Sequence, residues 1–145
     1  MNTAALYESD FYAWTQHHAE LLQKKRFSEL DLQNLIEEVK DMGASEKRAL
    51  ESRLIELLMH LLKWQFQPEW QGNSWLHSIN KQRISIKRLL KNNPSLTYQL
   101  KERVDELYPD AREYACYETR LALEIFPAQC PYTLEQILEK QSVKM

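Results

Sequence analysis

Glycine is almost missing from this chain: Gly43 and Gly72 are the only two in 145 residues. Hairpin-rich β folds and phosphate-cradling loops both draw on glycine for backbone at positive φ. Neither a P-loop nor a dinucleotide fingerprint can be written with these two positions, so both are excluded. Cysteine is just as scarce. Cys116 and Cys130 show no C-x-x-C spacing and no zinc-ligand pattern, and reduced thiols are the expected state. Long apolar runs are lacking too. The best stretch, Leu54 to Leu62, is broken by Glu56 and His60 and is too short to span a bilayer. Met1 to Asp10 has neither the basic nor the apolar region of a signal peptide. No membrane partner is expected, and cytoplasm is the expected compartment. Charge of one sign is not in excess: the formal net charge is −2. Global basicity therefore makes no case for nucleic acid, although a local patch is compatible with it.

What is present favours helices. Leu, Glu, Lys, Gln and Arg are abundant, and these are strong helix formers. Hydrophobic residues at 43% and charged residues at 28% are ordinary for a globular domain and exclude global disorder. The length is that of one domain, so residues 1–145 are expected to form a single helical domain with a structured core over about residues 9–140.

Ser9 is placed to cap a helix carrying Phe11, Trp14, His18, Leu21 and Leu22 on one face. Asp31 caps a second, with the apolar stripe Leu32, Leu35, Ile36, Val39 and Met42, and Gly43 is placed to end it. Ser45 caps a third, whose stripe of Leu50, Leu54, Leu57, Leu58 and Leu61 is widened by Ile55, Leu62 and Phe66. That apolar arc is too wide for a surface helix, which predicts a central, buried one ending near Pro68. Asn73 or Ser74 opens a fourth helix with Trp75, Ile79, Ile86, Leu89 and Leu90 inward. Asn93-Pro94 starts a fifth with Leu96, Leu100, Val104 and Leu107. Pro109 restarts the chain as a sixth, with Ala111, Tyr114, Ala115, Leu121, Ala122 and Ile125 on one side. Thr133 and Gln136 form a capping-box pattern for a short last helix through about Lys140. The expected fold is an all-α, single-domain bundle of five to seven helices around a central buried one.

Several of these runs carry a family resemblance. Tyr7, Asp10-Phe11-Tyr12 and Trp14 open it, followed by Asp31-Leu32, Glu37-Glu38 and Met42-Gly43. His60-Leu61-Leu62-Lys63-Trp64 with Gln67-Pro68-Glu69, then Ser74-Trp75 and Gln82-Arg83, continue it. Pro94-Ser95-Leu96, Ala115, Glu118-Thr119, Phe126-Pro127 and Cys130-Pro131 complete it. Together they resemble the small, mostly cyanobacterial bacterial proteins of the domain of unknown function 29 family. The resemblance implies a helical domain that makes up a whole small protein, and it transfers no activity.

Glu118 projects into the apolar face of the sixth helix if each residue advances the helix by about 100°. An ionised carboxylate there needs a partner. Arg83 is the expected one, with Gln82 and His18 completing a buried polar network or lining a pocket. Glu56 and His60 share one helix face and are weak candidates for metal ligands, and no cofactor is expected. Lys81, Arg83, Lys87, Arg88 and Lys91 give the fourth helix a basic face that could meet phosphates. Trp64, Trp70 and Trp75 concentrate around one helix end, and Lys63, Trp70 and Trp75 are the candidates for a binding surface. With no nucleophile elbow and no activated cysteine, the expected function is a non-enzymatic interaction or regulatory protein that binds another protein or itself. Two alternatives stay open: a metal-assisted or acid–base enzyme using Glu118, His18 or His60, and a nucleic-acid-associated regulator acting through the Lys81–Lys91 face.

Overall fold

The structure, a computed structural model, describes residues 3–139. Six α-helices occur among them: α1 (Thr3–Ser9), α2 (Phe11–Gln23), α3 (Leu32–Phe66), α4 (Asn73–Asn92), α5 (Leu100–Thr119) and α6 (Leu134–Leu138). Short 3-10 turns at Phe27–Glu29, Pro68–Trp70, Pro94–Thr97 and Leu123–Ile125 link them, and no strand is found among the described residues. The fold is all-α, as the composition requires. The expected end of the last helix at Lys140 lies outside the described residues. The chain divides into two compact units, Met1–Ser45 and Glu46–Met145.

In the first unit, Asp10 rather than Ser9 caps α2, its carboxylate accepting from the Ala13 N–H at 3.0 Å. Ser9 is already the last residue of α1, and its hydroxyl donates back to the Ala5 carbonyl. Trp14, His18 and Leu21 are buried at i, i+4 and i+7 on α2. Trp14 stacks on the His18 ring at 4.2 Å and meets Tyr7 at 4.9 Å between centroids. The helix closes without glycine. Lys25 takes φ 58°. The Lys25 and Arg26 amides reach back to the Leu22 and Leu21 carbonyls at 3.1 and 2.8 Å, the bond pattern of a Schellman motif.

The expected break at Gly43 does not occur: α3 runs through it to Phe66. Gly43 has no positive φ, and a glycine inside a helix costs only about 1 kcal/mol relative to alanine. Propensity of that size weakens a helix without ending it.

The second unit is built on the rest of α3. Leu50, Leu54, Leu57, Leu58, Leu61 and Leu62 are fully buried there, which makes this stretch the central helix that its wide apolar arc predicted. Ile79 and Ile86 of α4, Val104, Ala111 and Ala115 of α5, Phe126, and Ile137 of α6 close the core around it. α5 passes through Pro109 instead of restarting there. Pro109 and Asp105 are both exposed, so water can serve the Asp105 carbonyl that a proline cannot bond. The helix ends at Thr119 with Arg120 at φ 62°, so Leu121, Ala122 and Ile125 lie beyond it rather than on its face. The Thr133–Gln136 capping box forms in both directions, at 2.9 and 3.1 Å.

Candidate functional site

The tryptophan-rich end of the second unit takes shape where α3 stops. Pro68 cannot continue a helix, and the chain turns through Pro68–Trp70 into α4. Gln71 Nε2 donates to the Trp64 carbonyl at 2.8 Å, serving one of the acceptors that a helix end leaves open. The last turn of α3 presents Lys63, the first turn of α4 presents Trp75, and the last turn of α5 presents Glu118. Lys63 Nζ donates to Glu118 Oε1 at 2.9 Å and lies 4.9 Å from the Trp75 ring centroid. An ammonium over an indole face gains about 0.5–2 kcal/mol, most when water is excluded. Lys63 and Trp75 are thereby engaged with each other, while Trp70 on the neighbouring turn is left 67% exposed.

The four residues expected to share a polar network are held in four different ways. Glu118 does not occupy a buried apolar face and does not pair with Arg83; its side chain is 43% exposed and pairs with Lys63. It stands at the helix end, since α5 stops one residue later at Thr119. Arg83 is buried and clamps the end of α6, donating through Nε to the Ile137 carbonyl at 2.9 Å and through Nη2 to that of Gln136 at 3.0 Å. Burial pulls its guanidinium below the usual range, against the opposing charge of Glu139. Gln82 accepts from Arg53 Nη1 at 3.2 Å.

His18 belongs to the first unit. Its Nε2 accepts from the Asp31 N–H at 2.8 Å, which leaves Nδ1 as the ring donor to the Trp14 carbonyl at 3.1 Å. Asp31 in turn accepts from the Asn34 amide side chain at 2.7 Å, from Trp14 Nε1 at 3.3 Å and from the Asn34 backbone. The Asn34 side-chain bond is the largest cause that holds its carboxyl below the usual range. Asp31 thus caps α3, as its position in sequence implies.

His60 Nδ1 bonds the Glu56 carbonyl at 2.9 Å and lies 3.8 Å from the Glu56 carboxylate. No group of three or more His, Cys, Asp or Glu side chains arranged for a metal ion occurs among the described residues. Both cysteines are free and partly buried, and burial pushes the Cys130 thiol up. No described helix is long and apolar enough to cross a membrane.

One apolar stripe is not buried. Leu32, Ile36, Val39 and Met42 make the apolar stripe at the start of α3, and they are 60, 45, 55 and 65% exposed. An apolar stripe of this kind ordinarily faces a core. Among the described residues, eight of the fourteen large exposed hydrophobics belong to the first unit, Phe11, Leu22 and Phe27 included. Periodicity finds such a stripe but carries no signal for whether anything covers it.

No curated protein and no solved structure shows a significant match to this chain. A family model does, over residues 6–143, nearly the whole length. The chain belongs to the family described as domain of unknown function DUF29.

Proposed function

We propose that the protein is a non-enzymatic interaction module, which captures an amphipathic helix of a partner protein on the apolar face of its first unit. The observation that carries this reading is the uncovered stripe Leu32, Ile36, Val39 and Met42 at helical spacing. Contiguous exposed apolar surface of this kind marks interaction sites, and helix-in-groove recognition reads such i, i+4, i+7 anchors. Charge specifies the partner further. Residues 1–45 contain Lys24, Lys25, Arg26 and Lys40 against Glu8, Asp10, Glu20, Glu29, Asp31, Glu37, Glu38 and Asp41. The unit that carries the stripe is thus acidic in balance, which complements a helix with basic flanks.

The test is a photo-crosslinking residue placed at Val39 of the full chain in its own cells, with a second at exposed Tyr98 as control. The expected product is a protein crosslinked through a Lys/Arg-flanked amphipathic helix, formed from Val39 but not from Tyr98, and lost when Ile36→Glu is added. A crosslink to a second copy of the chain, or equal products from both positions, would overturn it.

A further inference from the structure

The α4 helix holds five of the 19 basic residues of the chain, Lys81, Arg83, Lys87, Arg88 and Lys91, and none of the 21 acidic ones. These five are not equivalent. Arg83 is consumed by the α6 carbonyls, and Lys87 pairs with Glu139 at 3.0 Å. Arg88 has no hydrogen-bond or ion-pair partner among the described residues. It borders a groove of about 300 Å³ between α3 and α4, within the second unit.

The groove is built by helical spacing. Ala49 and Arg53, four apart on α3, form one wall; Ile84, Ser85, Arg88 and Asn92 come from one face of α4. Ala49 adds only a methyl group to that wall. Gln82 engages one of the five N–H donors of Arg53 and leaves the others. No acidic residue lines the groove. Of the carboxylates nearest along α3, Glu46 accepts from Asn93 and Glu51 lies 3.8 Å from Arg103, while Glu56 is not among the groove's lining residues. Arg53, Arg88, Ser85 and Asn92 therefore line one cleft with no acidic residue in its lining.

We infer that this groove binds the phosphoryl group of a small phosphate monoester. A carboxylate, with one charge and two oxygens, is satisfied by one arginine fork. A phosphate monoester carries about −1.5 to −2 charges and three terminal oxygens, which matches two guanidiniums with Ser85 and Asn92 beside them. The volume is at the small end of ligand pockets, which selects a compact ester over a long one. Ile84, 65% exposed at the rim, gives its organic body an apolar surface. This site is separate from the apolar stripe of the first unit and does not depend on it.

The experiment is isothermal titration of the full chain with phenyl phosphate, benzoate and a single-stranded oligonucleotide, at low and moderate salt. Saturable binding of phenyl phosphate at one site, tighter than benzoate, is expected. Arg88→Gln and Arg53→Gln each weaken it roughly tenfold or more, the scale of one charge-assisted hydrogen bond. Ala49→Leu, which fills the groove and leaves every charge in place, weakens it too. Lys91→Gln, outside the groove on the same helix, leaves it unchanged. If Lys91→Gln weakens binding as much as Arg88→Gln, or if the oligonucleotide alone binds, the helix acts as a diffuse polyanion surface and the proposal fails. Absence of saturable phenyl phosphate binding by the folded chain also overturns it.

Discussion

Lys63 Nζ and Glu118 Oε1 meet at 2.9 Å across 55 residues of sequence, joining the last turn of α3 to the last turn of α5. The two ends are unequal. The lysine side chain is only 9% exposed and the glutamate 43%. Removing the anion strands a buried cation, whereas removing the cation returns a carboxylate to water. Glu118→Ala is therefore expected to cost about 1–2 kcal/mol, discounted from the figure for fully buried pairs because the carboxylate is partly screened. Lys63→Met gives up the ammonium's contact with the Trp75 face but keeps the volume and removes the buried charge itself, so it should cost less. Urea unfolding of both variants decides it, and equal losses would mean that the pair is worth only its surface value.

His18 supports a second prediction. Its Nε2 is the acceptor for the Asp31 amide at the start of α3, and the ring is buried against Trp14. His18→Leu keeps the packing but leaves that N–H without its acceptor, for an expected loss of about 1–3 kcal/mol. His18→Gln offers an amide oxygen and should recover part of it. Thermal unfolding followed by helical circular dichroism measures both, and a His18→Leu protein as stable as the parent would reduce the bond to a bystander of stacking.

Much of the fold was legible because its causes are local. The central helix announces itself by the leucines from Leu50 to Leu62, and the α6 start by Thr133 and Gln136. Helix ends were less legible because the left-handed positions do not fall on glycine. Gly43 lies inside α3, while left-handed backbone falls at Lys25, Gln99 and Arg120. The polar network failed for a different reason. A helical projection gives the face of Glu118 or Arg83, but not whether the next turn exists or which carbonyl stands opposite. The exposed stripe of α3 failed for a third: amphipathicity is a property of the sequence, and burial is a property of what arrives to cover it.

That use of glycine can be reversed. A Cβ at Gly43 meets nothing within 4 Å, and its backbone is helical. Gly43→Ala should stabilise the chain by about 0.5–1 kcal/mol, through helix propensity and a less disordered unfolded state. Lys25→Gly should act in the same direction, because φ 58° is strained for a residue with a side chain. A loss of stability in either would show that the site needs the residue now present.

Exposure along α3 predicts a contrast between substitutions in its exposed and its buried stretch. Ile36→Gln and Val39→Gln alter residues that face solvent and should change stability by no more than about 0.5 kcal/mol. Leu54→Ala, in the fully buried stretch of the same helix, should cost about 2–5 kcal/mol. Denaturant midpoints compare them directly. A core-sized loss at Ile36 in the isolated protein would mean that the stripe is covered in solution, and would remove the basis for a partner there.

Alkaline pH should unfold the second unit through its tyrosines. Burial pushes the Tyr108 phenol up from 10.0 to about 12, and burial raises Tyr132 as well. Both hydroxyls are donors, Tyr108 to the Pro127 carbonyl at 2.6 Å and Tyr132 to Gln65 Oε1 at 2.7 Å, so each must keep its proton in the folded chain. In the unfolded chain the same phenols ionise near pH 10. The folded state then binds more protons than the unfolded one, and stability falls as pH rises. The contribution is complete below pH 10 and is lost progressively toward about 12. Urea midpoints measured across this range, with tyrosinate absorbance followed in parallel, should show ionisation arriving with unfolding rather than before it. Tyr108→Phe separates the two effects: at neutral pH it loses about 1 kcal/mol with its hydrogen bond, but its stability should fall less steeply above pH 10. If the Tyr108→Phe curve parallels that of the parent, the alkaline loss comes from groups other than this phenol.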